Sequence, residues 1–100
     1  MDMKNLIGKK VIIRGDRSGV FYGTLASKDG REVELHDCRR IWYWSGAASL
    51  HQLANEGVKY PLACKFTITI PSIVIVDAIE IIPCSEEAIK IIDEVPVWRI

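Results

Sequence analysis

The residues best suited to bind a ligand form one run of cations and aromatic rings near the middle of the chain. The run comprises Arg39, Arg40, Ile41, Trp42, Tyr43, Trp44 and Ser45. Successive side chains of a strand point to opposite faces, so Arg40, Trp42 and Trp44 would share one face. A hydrophobic core does not need an arginine and two tryptophans on that face. Because aromatic rings stack on nucleobases and a guanidinium binds phosphate through two hydrogen bonds, the run indicates a site for a flat, negatively charged ligand.

Aromatic and basic residues elsewhere extend this candidate site. Tyr22 is expected to be a cross-strand partner of the aromatic run, and Trp98 and Arg99 repeat the aromatic–arginine pattern near the C-terminus. The full set of candidate ligand-binding residues is Arg39, Arg40, Trp42, Tyr43, Trp44, Ser45, Tyr22, Trp98 and Arg99.

The same run has two other interpretations. Tryptophan, tyrosine and arginine are enriched at the energetic centres of protein–protein interfaces, so an interface fits the run as well as a ligand site does. Arg39 and Arg40 could also pair with Glu32, Glu34 or Asp37 on a solvated face of little functional consequence.

Catalytic and metal-binding patterns are absent from the sequence. It contains no glycine-rich phosphate loop, no nucleophile elbow and no pair of histidines at metal-ligand spacing. The cysteines, Cys38, Cys64 and Cys84, are odd in number and widely spaced, which favours reduced thiols over a disulfide framework or a zinc site. We therefore expect neither enzymatic activity nor a cofactor or metal.

Length and composition limit the class of protein. A chain of 100 residues is expected to form one domain over residues 1–100. Its 13 basic and 13 acidic residues cancel, which argues against nucleic-acid binding that depends on backbone charge. The N-terminus lacks signal-peptide features, and the longest apolar stretch, residues 73–82, is too short to span a bilayer and contains Asp77 and Glu80. A soluble cytoplasmic protein without a membrane partner is expected.

Alternating apolar residues and turn signals predict a β-rich first half. Strands are predicted over residues 11–13, 20–26 and 32–35, and Asp29-Gly30 predicts a hairpin because that turn requires positive φ. The third strand is expected to run on to Trp44 if a bulge occurs at residues 37–39. Such a bulge would decide which side chains of the run face outward.

The second half is predicted to mix strands with two helices. Ser49 and Gln52 match a capping box for a helix over Leu50–Glu56, with Gly57 after its end, and Ser85 is expected to cap a helix over residues 86–93. Strands are predicted over residues 66–70 and 73–82. The second is apolar on both faces, so it is either central or covered by another subunit. The apolar tail, residues 97–100, is expected to dock on the body or on a neighbouring subunit. The predicted fold is α+β but mainly β, a small antiparallel sheet or curled barrel with a short central helix and a C-terminal helix.

Residues 30–53 resemble a group of uncharacterised small bacteriophage proteins, over about a quarter of the chain. The shared pattern is a polar strand, an Ala/Cys-Arg step, an Ile-x-Tyr-Trp run, a Gly/Ser turn and a Leu-x-x-Leu-Ala helix. Here it corresponds to Cys38-Arg39, to Ile41-Trp42-Tyr43-Trp44 and to Leu50-His51-Gln52-Leu53-Ala54. The order of elements is also similar to phage sponge proteins of the anti-Thoeris and anti-CBASS type.

The resemblance to sponge proteins implies a function and a location. Such proteins capture cyclic nucleotide or cyclic ADP-ribose-like immune signals without cleaving them, in the cytoplasm of an infected bacterial host, and they assemble as homo-oligomers with pockets between subunits. A sponge needs no catalytic residues, which agrees with the motif search. The alternatives are a structural or regulatory protein–protein interaction module and a single-stranded nucleic-acid binder.

Overall fold

The β2–β3 hairpin forms the centre of the fold. The computed structural model describes residues 3–100, with side chains from Asn5 onward. The strands are β1 (Lys10–Gly15), β2 (Val20–Asp29), β3 (Glu32–Tyr43), β4 (Lys65–Phe66), β5 (Ile70–Ile75) and β6 (Ala78–Pro83). The helices are α1 (Leu50–Glu56) and α2 (Glu86–Asp93), and 3-10 turns lie at Met3–Leu6 and Pro61–Ala63. The predicted fold class, a mainly β sheet with a short central helix and a C-terminal helix, is confirmed.

The turn between β2 and β3 sets the register of the sheet. Asp29 pairs with Glu32, and Gly30 adopts a φ of 59°, which glycine reaches without a steric penalty. The strands run antiparallel in the order β4-β3-β2-β1-β6, and β5 pairs with the first half of β3. Only Val76 and Asp77 separate β5 from β6, although the two strands pair at opposite sides of the sheet. The sheet must therefore curl so that these two edges approach each other.

A bulge in β3 divides this long strand into two parts. Asp37 has a φ of 51°, and the register with β2 shifts between the pairs Tyr22–Arg39 and Thr24–His36. The bulge predicted at residues 37–39 is confirmed. The residues before it pair with β5, and Ile41 and Tyr43 after it pair with β4.

Both predicted helices form with the predicted caps. The Ser49 hydroxyl accepts a hydrogen bond from the backbone N–H of Gln52, and Gly57 ends α1 with a φ of 77°. The Gln52 side chain accepts from the backbone N–H of Ala48, one residue before the cap. Ser85 caps α2 by accepting from the N–H of Ala88. These caps satisfy N–H groups that a helix cannot pair internally.

The sheet carries a hydrophobic core on each face. The face covered by the helices packs Ile12, Tyr22, Ile41 and Phe66 against residues of α1 and α2. The inner face of the curled sheet holds a second cluster, Leu6, Val11, Ile13, Phe21, Leu25, Val33, Leu35, Cys38, Ile75 and Ala78. No helix among residues 3–100 is long and apolar enough to cross a membrane.

Two predicted strands require correction. The strand predicted over residues 66–70 is interrupted after Phe66, because the chain crosses the β3 bulge there and the Thr67 hydroxyl accepts from the N–H of Arg40. The strand predicted over residues 73–82 is two strands, β5 and β6. It breaks at Val76 and Asp77, where the Asp77 carboxylate binds the turn that joins β1 to β2.

Candidate ligand-binding groove

Arg40 lines an open groove at the end of the sheet where β2 begins and β3 ends. The groove, here called the Arg40 groove, has a volume of about 230 Å³. Its lining residues are Ser18, Gly19, Val20, Arg40, Ile41, Trp42 and Trp44. Arg40, Trp42 and Trp44 thus line one groove, although Trp44 lies beyond the end of β3 and packs against the helix-covered core. Arg40 also lines a second depression of about 180 Å³, beside Thr67 and Ile68.

The position of Arg40 follows from its neighbours in the sheet. Arg40 pairs with Phe21 of β2, and its guanidinium carbon lies 4.6 Å from the centroid of the Phe21 ring. The Arg40 backbone exchanges hydrogen bonds with Thr67, whose hydroxyl accepts at 2.8 Å and whose N–H donates to the Arg40 carbonyl at 3.1 Å. A backbone fixed on both sides limits how far the guanidinium can move.

The charge of Arg40 is not neutralised within the part of the chain that the structure describes. There, the ion pairs join Arg14 to Glu80, Arg31 to Asp16, and His36 to Glu34. The predicted alternative, in which Arg39 and Arg40 pair with carboxylates of neighbouring strands, is therefore wrong. The Arg40 side chain also donates no hydrogen bond to any described residue, so its guanidinium can bind an external anion.

One wall of the groove is held by a carboxylate that is distant in sequence. The Asp77 carboxylate accepts hydrogen bonds from the backbone N–H groups of Arg17 and Ser18, at 2.8 and 3.0 Å, and from the Ser18 hydroxyl. The hydrogen bond from the Ser18 hydroxyl is the main cause that lowers the pKa of Asp77. Gly15 leaves room for this contact, because a Cβ there would collide with the Ser18 hydroxyl.

Arg39 lies on the opposite, helix-covered face of β3. It is 5% exposed, and its guanidinium donates to the carbonyls of Thr67, Ile92, Phe66 and Pro96 at 3.0 to 3.4 Å. Burial lowers the pKa of Arg39, and the Asp93 charge opposes this shift. The side chain thus joins β3 to the end of α2 and to the tail, and its proposed role in ligand binding stays a prediction.

Tyr22 is buried on the same face as Arg39. Its hydroxyl donates to the Asp93 carboxylate at 2.7 Å, and burial, followed by this hydrogen bond, raises the pKa of Tyr22. Tyr22 and Arg39 line a separate polar depression beneath α2 and do not reach the Arg40 groove. A ligand-binding Tyr22 stays a prediction, and its packing is that of a core residue.

The predicted docking of the C-terminal tail is confirmed. Val97 forms a bridge with Phe66, and the Trp98 N–H donates to the Phe66 carbonyl at 2.8 Å. The Trp98 ring stacks on Trp42 with a centroid distance of 6.4 Å and an interplanar angle of 16°. The Lys65 ammonium lies 5.5 Å from the centroid of Trp98. Trp42 and Trp98 therefore form one exposed surface beside the groove, here called the tryptophan pair, and Lys65 borders it.

The remaining predicted site residues surround the groove more loosely. The Trp44 indole N–H donates to the Ala47 carbonyl, which fixes the ring at the groove wall. Tyr43 is exposed and pairs with Lys65. The Ser45 N–H donates to the Cys64 sulfur, and Arg99 is exposed near the end of the tail.

Sequence reasoning missed the residues that complete the groove from other elements. Ser18, Gly19 and Val20 form its far wall, and Lys65 borders the tryptophan pair. The predicted hairpin could have indicated the far wall, because a turn at Asp29-Gly30 places residues near position 20 opposite Arg40. No local signal marks Lys65.

Two of the three cysteines have thiols that burial keeps from ionising. Burial raises the pKa of Cys38 to about 11 and that of Cys84 to about 12, so neither is an activated nucleophile. No cluster of three metal-ligating side chains occurs among the residues that the structure describes. The chemistry that the groove does offer is stacking by Trp42 and Trp44 and anion binding by Arg40.

Comparison with known families places the chain in a family. A model for a domain of unknown function, DUF6948, matches residues 8–92, and the chain belongs to this family. No curated protein matches the sequence. Neither of these findings concerns a bacteriophage or anti-defence protein, so that resemblance stays a prediction.

Two solved structures share the fold. A heptameric archaeal Sm protein, described for its implications for the eukaryotic snRNP core, is 19% identical, with a TM-score of 0.55 over 83% of this chain and 96% of that chain. The P. aerophilum SmAP1 heptamer is also 19% identical, with a TM-score of 0.55 over 83% of this chain and 88% of that chain. At this identity the similarity concerns the fold, a small curled β-sheet of the Sm type.

Proposed function

We propose that this member of the DUF6948 family is a non-catalytic binding protein that assembles with itself and holds a nucleotide-derived ligand in the Arg40 groove. The observation that carries the proposal is the guanidinium of Arg40, which has no carboxylate partner among the described residues. It lies over the Phe21 ring and lines the same groove as Trp42 and Trp44. A cation beside stacking rings suits a phosphate attached to a base. In this proposal the ligand is a cyclic nucleotide or cyclic ADP-ribose-like signal, which the protein binds and holds without cleaving it.

The size of the groove supports binding by more than one copy of the chain. Pockets that enclose a small-molecule ligand usually measure about 300–1,000 Å³. The Arg40 groove measures about 230 Å³ and is open on one side. One chain therefore holds part of a nucleotide-derived ligand and leaves the rest exposed, which a second copy could cover.

The edges of the sheet support self-assembly. β5 and β6 each pair with a single strand, so their outer edges have no strand partner among residues 3–100 of one chain. Val74, Val76 and Ile79, on or beside these edges, are 55%, 67% and 43% exposed. Unpaired edges with apolar side chains tend to pair with another chain. The heptameric Sm proteins of similar fold agree with a closed, symmetric assembly of this kind.

Single-stranded RNA is a second candidate ligand. The observation that favours it is the fold similarity to an archaeal Sm protein described in connection with the snRNP core, a ribonucleoprotein. Stacking of unpaired bases on tryptophan would use the same groove. The balance of 13 basic against 13 acidic residues weighs against it, because sequence-tolerant RNA binders normally carry a basic surface.

Calorimetric titration with a defined set of ligands tests the proposal. The set comprises mononucleotides, cyclic di- and trinucleotides, cyclic ADP-ribose isomers and short single-stranded RNA, and bound material is recovered by chromatography. Tight binding with intact recovery supports sequestration, and recovery of an altered ligand makes the protein an enzyme. RNA binding that weakens steeply as salt rises favours the second candidate. No binding by any member contradicts both and leaves an interaction module.

A further inference from the structure

We propose that the tryptophan pair is a second base-stacking position beside the Arg40 groove, so that the preferred ligand contains two bases joined through phosphate. The inference rests on the proposed function and names its ligand class more narrowly. A mononucleotide would occupy one position, and a dinucleotide would occupy both.

The tryptophan pair retains open ring surface although its members stack on each other. Trp42 is 62% exposed and Trp98 is 46% exposed, values far above those of tryptophans that serve only a core. The near-parallel rings, tilted by 16°, present aromatic faces suited to a base. The Lys65 ammonium beside Trp98 supplies a cation for a phosphate at this position.

Trp98 is held in place by the body of the protein although it belongs to the C-terminal tail. The backbone N–H of Trp98 donates to the Phe66 carbonyl at 2.8 Å, and Val97 forms a β-bridge with Phe66. The buried guanidinium of Arg39 donates to the Pro96 carbonyl at 3.4 Å, just before this segment. A tail anchored at two successive points loses less conformational entropy when a ligand binds than a free tail would.

The spacing suits two linked nucleotides. Trp42 belongs to both positions, since it lines the Arg40 groove and stacks on Trp98. Arg40 and Trp42 are two residues apart on one strand, which separates their Cα atoms by about 7 Å. The centroid of the Trp98 ring lies 6.4 Å from that of the Trp42 ring. Arg40 in the groove and Lys65 beside Trp98 thus supply one cation for each position.

The expected gain in affinity of a dinucleotide over a mononucleotide follows from the free energy of stacking a single base. One stacked base typically changes affinity by roughly 5- to 150-fold. A ligand that fills both positions should therefore bind at least about 5-fold more tightly than the matching mononucleotide, because its second base binds in an intramolecular step.

Titrations of the full chain with matched ligands test the inference. The probes are the four ribonucleoside monophosphates, the corresponding linear dinucleotides and cyclic dinucleotides. We expect wild type to prefer dinucleotides, and Trp98→Ala to lower the affinity for dinucleotides at least about 5-fold more than it lowers the affinity for the matching mononucleotide. Trp98→Phe, which keeps a stacking ring, should retain most of the preference, and unfolding curves of both variants show that the fold is intact.

The outcomes separate the inference from the proposed function. Equal affinity for mono- and dinucleotides, or a preference that survives Trp98→Ala, overturns the second stacking position and leaves the Arg40 groove as the site. Failure of every nucleotide to bind overturns the proposed function and the inference with it.

Discussion

The guanidinium of Arg40 lies over the ring of Phe21, with its central carbon 4.6 Å from the ring centroid. Phe21 is a buried member of the inner core, so Arg40 closes the open end of that core with an aromatic contact on one side and the groove on the other. A cation–π contact holds the side chain without neutralising its charge. The arrangement therefore fixes an arginine in position while keeping it able to bind an anion.

Arg39→Met should destabilise the protein with little effect on ligand affinity. The substitution removes the four hydrogen bonds that the buried guanidinium donates to backbone carbonyls of the β4 region, α2 and the tail. Loss of hydrogen bonds from a buried charged group should lower the free energy of unfolding by at least about 2 kcal/mol. Urea unfolding measures the loss, and titration at a temperature where the variant is folded measures binding.

One outcome of this experiment would contradict a structural role for Arg39. If Arg39→Met is as stable as wild type but loses affinity for nucleotides, then Arg39 contacts the ligand directly.

The stability of the fold at acidic pH should depend on the ionisation of the Asp77 carboxyl group. Hydrogen bonds to the ionised carboxylate lower the pKa of Asp77 in the folded protein below the ordinary value of about 3.9. A carboxyl group whose pKa is lower in the folded than in the unfolded chain stabilises the fold. The full stabilisation is present above the pKa of the unfolded chain and is lost as the pH falls through the pKa of the folded chain. Asp77→Asn should therefore be less stable than wild type at pH 7, and the difference should shrink below about pH 4.

A double-mutant cycle identifies the partner of Asp77. Ser18→Ala removes the hydroxyl that binds the carboxylate, so the effects of Asp77→Asn and Ser18→Ala on the melting temperature at pH 7 should not add. Additive effects, or a difference between Asp77→Asn and wild type that is constant from pH 3 to pH 7, would contradict this hydrogen-bonded clasp.

Lysine at the free edges should prevent self-association. Val74→Lys and Val76→Lys place charges where we propose that strands of two copies meet, and a charged edge strand resists pairing. Sedimentation velocity of the double variant should show a monomer where wild type shows an oligomer. Leu62→Lys, at an exposed residue of the Pro61–Ala63 turn, is the matched control and should leave assembly unchanged.

An oligomer that survives the edge lysines but is broken by Trp42→Ala would contradict the edge model. It would support the alternative in which the aromatic run is itself the interface between subunits.

Local patterns predicted the β2–β3 hairpin but not the partner of Arg40. The two loop residues are Gly30 and Arg31, because Asp29 pairs with Glu32. A loop of Asp29 and Gly30 would instead place Gly19 opposite Arg40, whereas the structure pairs Arg40 with Phe21. A turn shifted by one residue changes the register of the whole hairpin, and the Asp-Gly dipeptide alone does not fix that position.

The contacts that complete the site depend on residues far apart in the chain and could not be predicted. Asp77 binds the Ser18 turn across 59 positions. Strand alternation places Arg39 with Ile41 on the covered face, but a buried arginine is rare enough that only the structure shows its four carbonyl partners. The break at Val76 and Asp77 was missed because isoleucine and valine continue on both sides of it.

Calorimetric titration of wild type, Arg40→Gln and Arg31→Gln with the tightest nucleotide ligand found decides whether Arg40 binds the ligand. Arg31 is an exposed arginine outside the groove and serves as the control. We expect Arg40→Gln to lower the affinity by roughly 10- to 150-fold, the cost of losing a hydrogen bond to a charged group, and Arg31→Gln to bind like wild type. Equal affinity of wild type and a folded Arg40→Gln would contradict anion binding by Arg40.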